Sequence, residues 1–163
     1  MDEHLAPYFT AEKREALLFM LVGVAALAVS AWLFVSGDRY RGMMYPLAAI
    51  AAIQIVVGST VSFRTDAQLL ALKVQYQDAP AAFKADETQR MDTVVKNFRI
   101  YKWIEILLLT TGIVLTFALR RSDLWYAVGI GLIIQASLML VLDLFAERRA
   151  DEYLRFVMGV FIP

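Results

Sequence analysis

The segment "NFRIYKWIEILLLTTGIVLTFALRR" (Asn97–Arg121) carries a long apolar run, yet Lys102 and Glu105 stand at its entrance. From Ile106 to Leu119 no residue is charged, and Trp103, Ile104 and the aliphatic stem of Lys102 lengthen the run on one side. A charge placed in hydrocarbon costs about 3 kcal/mol on insertion scales, so a charged pair at such a place has a structural or functional reason.

Three further runs in the chain have the same character. Ala16–Val35 carries no charge over 20 residues, Gly42–Phe63 none over 22, and Leu124–Leu142 none over 19. A helix needs about 20 apolar residues to cross a hydrocarbon layer ~30 Å thick. With 60% hydrophobic residues and a mean hydropathy of +0.57, the expected fold is all-α. It is a polytopic bundle of four transmembrane helices, spanning residues 11–36, 42–63, 101–119 and 124–146. The flank of the first run is not net positive and the run is longer than a signal core, which reads as a retained helix.

Composition removes whole classes of chemistry. The formal net charge is zero, with 16 basic and 16 acidic residues, so no polybasic surface argues for nucleic acid. Cysteine is absent, which excludes thiolate catalysis and cysteine-ligated metal or iron–sulfur centres. The single histidine, His4, lies outside every span. No Ser-His-acid set, phosphate-cradling glycine loop or intramembrane His-acid motif is present, so the expectation is a protein without enzymatic activity, cofactor or metal.

Thr10 reads as an N-cap for the first helix, with Glu12 and Glu15 in its opening turns. "SGDRYRG" makes a tight first loop, with Pro46 in the opening turns of the second helix. Residues 64–100 are not disordered. "TDAQLLALKVQYQ" continues the second helix, "DAPAAF" breaks it at Pro80, and "DETQRMDTVVKNFRIYKW" resumes helix with Met91, Val94, Val95 and Phe98 at helical spacing. The reading is a projecting helical hairpin. Twelve of the 16 Lys and Arg residues lie in the N-terminus, between Phe63 and Trp103, and in the C-terminus, against four in the short loops. The positive-inside rule then puts both termini and the hairpin in the cytoplasm. The segment 147–163 starts charged and ends apolar. It reads as an interfacial or bundle-packed segment, or as an exposed tail that binds another protein.

Helix association in lipid relies on small residues and interhelical hydrogen bonds. Gln54, Ser59 and Gln135 are therefore the candidate intramembrane polar contacts. Arg64, Lys102, Glu105 and Asp143 fall at one depth when the cytoplasmic helix ends are aligned, and form a candidate charged rim that sets depth and register. Leu69, Leu72, Tyr76, Phe156 and Phe161 are the candidate partner surface. A faint internal echo is also visible: Ile-Gln precedes a charged extension twice, at Gln54 and Gln135. Lys13 and Gly23 are spaced like Lys102 and Gly112.

In layout the chain resembles the small polytopic immunity proteins that bacteria keep in the inner membrane against pore-forming toxins. The strings "PLAAIAAIQIVVGSTVSFRTDAQ" (Pro46–Gln68) and "RMDTVVKNFRIYKWIEI" (Arg90–Ile106) are similar to membrane proteins found beside secreted toxic effectors. That resemblance implies a binding protein of the bacterial inner membrane, with the lipid bilayer and a toxin or effector as partners. The alternatives are a small homo-oligomeric transporter or channel subunit, and an accessory subunit of an envelope complex.

Overall fold

A computed structural model describes residues 2–37 and 39–159. Four long α-helices account for nearly all of them: α1 (Asp2–Ser36), α2 (Met44–Asp78), α3 (Pro80–Ala118) and α4 (Asp123–Gly159), with a 3-10 turn at Arg39–Met43. Each of the four is long and apolar enough to cross a membrane. Successive helices run antiparallel, so α1 and α3 point one way and α2 and α4 the other.

The connections are as short as their residues permit. Gly37 ends α1 at φ +64°, the left-handed conformation that lets a helix stop without a Cβ clash. Between α2 and α3 stands Ala79 alone, at φ −147° and ψ 72°. Pro80 follows at the first helical position of α3, where its missing N–H is no loss and where it holds Ala79 out of the helical region. The Ala79 N–H donates to the Gln75 carbonyl at 2.9 Å, and its own carbonyl accepts from Phe83 at 3.0 Å. Asp123 opens α4 with negative charge at the helix N-terminus, and accepts from Arg39 at 2.9 Å across the two short connections.

Helices of 35 to 39 residues are about 50–60 Å long at 1.5 Å per residue, well beyond the ~30 Å of a hydrocarbon layer. The excess lies at one end of the bundle, where the interior changes character. Along the apolar runs, large side chains face outward, among them Leu21, Trp32, Val56, Leu107, Phe117 and Val141, while Ala26, Ala51, Gly112, Ala127, Gly131 and Ala136 fill the inside. At the charged end the order reverses. Leu5, Phe9, Leu72, Phe83, Met91, Leu154 and Val157 form the buried core, and charged side chains cover the outside. The first arrangement suits a surrounding of hydrocarbon and the second a surrounding of water.

Two expectations change here. The first helix does not begin at a Thr10 cap; α1 starts at Asp2 and carries Pro7 inside it. Pro7, in the second turn, removes one hydrogen bond of the helix, and burial of Leu5, Tyr8 and Phe9 stabilises the added turns against that loss. Residues 64–100 are also not a separate two-stem hairpin. All four helices reach the charged end, where these residues share one core with the start of α1 and the end of α4. Residues 147–159 belong to α4 without a break, and Ala150, Tyr153, Leu154 and Val157 bury their inner face.

Candidate functional site

Polar groups gather at three successive depths, the first and third enclosed and the second partly exposed. In the middle of the apolar region, Gln135 Nε2 donates to Gln54 Oε1 at 2.7 Å, and both side chains are fully enclosed. The helices approach closely around this layer because glycines face backbone. A Cβ at Gly112 would lie 2.8 Å from the Gly129 carbonyl oxygen, and one at Gly58 would lie 2.7 Å from that of Ala16. Ser59 sits beside this layer, half-buried, with its hydroxyl donating to Met20 Sδ at 3.4 Å.

The second layer lies where the apolar runs end. Here the four candidate rim residues divide into separate groups. Lys102 pairs with Glu147 at 2.5 Å. Glu105, only 1% exposed, meets Asp143 of α4 carboxyl to carboxyl. Arg64 lies on the other side of the bundle, 3.9 Å from Glu12. Lys13 with Asp66 at 2.5 Å, and Arg149 with Glu15, complete the layer. A single four-membered cluster does not form, because α1 packs mainly on α2 and α3 mainly on α4.

The third layer is enclosed in the core of the charged end. Glu87, 1% exposed, accepts from Arg90 Nε and Nη2 at 2.7 Å each, and from the Tyr153 hydroxyl at 2.9 Å. With its amide oxygen turned toward Arg90, Gln68 accepts from the same guanidinium at 2.9 and 3.1 Å. Tyr8 stacks on Tyr153 with ring centroids 4.0 Å apart, and its hydroxyl donates to Met91 Sδ at 3.7 Å. Burial pushes the phenols up, that of Tyr8 to about 12 and that of Tyr153 still further, so both stay neutral donors at neutral pH. Burial works against the Arg90 charge, and the bonded Glu87 carboxylate more than offsets it.

The proposed partner-surface residues lie mostly inward. Leu72 is buried in the core of the charged end, and Leu69, Tyr76 and Phe156 pack against it, with Tyr76 edge-on to Phe83. Their helical periodicity marks a core face. Phe161 lies outside the described residues.

Glu87, Arg90, Tyr153, Glu147 and Asp66 emerge only from the structure. For the last two a signal existed: Asp66 stands twelve residues after Gln54, as Glu147 does after Gln135. Each acid receives the lysine that precedes a glycine by ten residues, Lys13 before Gly23 and Lys102 before Gly112. The α1–α2 and α3–α4 hairpins thus repeat one lysine–acid closure, and their glutamines meet between the repeats. No three histidine, aspartate or glutamate side chains converge as a metal set among the described residues.

Compared with family models, with curated proteins and with solved structures, the chain shows no match.

Proposed function

We propose that this chain is a multi-pass protein of the bacterial inner membrane that acts by binding, as an immunity protein against a membrane-targeting toxin or secreted effector. Its charged end and both termini face the cytoplasm in this reading, in keeping with the twelve-to-four division of Lys and Arg. The observation that supports binding over transport is the filled axis. Glutamine against glutamine, with glycines against backbone, leaves the lipid-facing helix faces and the charged end as the surfaces on which recognition works. A toxin's inserting hairpin is apolar and membrane-embedded, which is the chemistry that exposed Leu, Val and Phe faces accommodate.

Co-expression with the toxin or effector genes that neighbour its own is the test. Survival restored by this chain, and lost on substitution of an outward helix face, supports the reading; no protection against any neighbouring effector overturns it. A second reading, a subunit of a small oligomeric transporter, is favoured by the repeated lysine–acid closure, since transporters are often built from internal repeats. Solute or ion flux into liposomes holding the purified protein would support that alternative.

A further inference from the structure

Glu105 and Asp143 are the pair that neither packing nor ion pairing accounts for. Both Glu105 carboxylate oxygens are buried without a hydrogen-bond donor. The nearby ammonium of Lys102 is already held by Glu147 at 2.5 Å. Within α4, Glu147 is one turn beyond Asp143 and adds a further negative charge. Among the described residues, α1 and α2 turn no cation toward the pair: Glu12 is paired with Arg64, Glu15 with Arg149, and Lys13 with Asp66. Glu105 is enclosed without a donor and meets the half-buried Asp143 carboxyl at the edge of an apolar layer, where two anions repel each other and the Glu105 carboxylate has lost its hydration.

A metal ion would relieve this only with further ligands, and no third acidic or histidine side chain converges on the pair among the described residues. A proton needs no cavity and no third ligand. We propose that Glu105 and Asp143 form a proton-binding site, holding one shared proton between α3 and α4 at neutral pH. With the proton bound, one carboxyl donates to the other and fastens the α3–α4 hairpin at the depth where its apolar runs end. Loss of the proton to the adjoining water leaves two facing anions, and the hairpin loosens there. The Lys102–Glu147 pair, whose side chains are 32% and 21% exposed, lies next to the site on the charged side and connects it to solvent.

The sign of the linkage follows directly. A proton bound in the folded state and absent from the same groups in the unfolded chain stabilises the fold at lower pH. That stability is lost as pH rises through the release of the proton. In Glu105→Gln the amide supplies the donor permanently, and Asp143→Asn does the same from the other side.

The test uses the full-length protein in detergent micelles. Infrared difference spectra at neutral pH should show the carbonyl band of a protonated carboxyl, shifted in D2O and lost in Glu105→Gln. The melting temperature of the wild type should fall as pH is raised from neutral, while that of Glu105→Gln stays level and ends above the wild type. Should Glu105→Gln not fold, loss of the same band in Asp143→Asn supports the site. The proposal is overturned if the wild type lacks the band at neutral pH, or if the band keeps full intensity in the variants. Melting of Glu105→Gln below the wild type at every pH also overturns it. None of these readouts depends on whether a toxin, a solute or another partner is the protein's target.

Discussion

Replacing Glu87 with leucine should be among the most damaging single changes outside the apolar region. The carboxylate is 1% exposed and accepts three hydrogen bonds, two from Arg90 and one from Tyr153. Removing one member of a buried ion pair costs about 3–5 kcal/mol, because the other charge stays behind without its partner. Two features of this site reduce that figure. The Arg90 side chain retains 27% exposure, and Gln68 offers it a second acceptor. Allowing for both, Glu87→Leu should cost about 2–4 kcal/mol. For a chain of this length, that is a drop of about 5–15 °C in melting temperature. The assay is thermal unfolding of the purified protein in detergent, followed by circular dichroism. If the cost is the orphaned charge, Glu87→Leu combined with Arg90→Met should recover most of it, and adding Tyr153→Phe should recover more. A drop of under about 2 °C for the single variant would refute the reasoning, as would a double variant that melts below the single.

Other substitutions test the remaining layers. Gly112→Leu should lower the melting temperature by the equivalent of about 1–3 kcal/mol, since its Cβ would strike the Gly129 carbonyl and the Ile133 backbone nitrogen, while Gly159→Ala, with nothing within 4 Å, should be neutral. Gln54→Leu should cost about 1 kcal/mol by removing the acceptor of Gln135, and Gln54→Leu with Gln135→Leu should cost less than the single change, again read by melting. Orientation is open to cysteine labelling in a chain that has no cysteine of its own. With an impermeant thiol reagent on spheroplasts, Arg121→Cys should react at once and Ala85→Cys only after lysis; the reverse pattern would refute a cytoplasmic placement of the charged end.

The apolar runs announced four membrane-length helices because a helix that faces lipid must be apolar over a fixed length, a property each segment carries by itself. The α2–α3 break at Pro80 was legible for a similar reason, since proline's effect on its neighbours is local. Candidate sites were harder to read. Gln54 and Gln135 stood out as polar residues in apolar runs, and the structure brings them together at 2.7 Å. Leu69, Leu72, Tyr76 and Phe156 were legible as an apolar stripe, but a stripe does not say whether it meets a partner or the rest of its own chain. The answer depends on α1 starting eight residues before Thr10 and on α4 running to Gly159.

Charge pairing shows the same division most sharply. The sequence by itself determined that Lys102, Glu105, Arg64 and Asp143 stand near the ends of apolar runs, because depth along a helix is counted in residues. Only the tertiary structure decided that Lys102 goes to Glu147 and Glu105 to Asp143, while Arg64 goes to Glu12 of its own hairpin. Which side chains share a face between two helices is set by the rotation of each helix about its own axis. That rotation is fixed by where glycines such as Gly58 and Gly112 let backbones touch, and it is a property of the packed pair that neither segment carries alone.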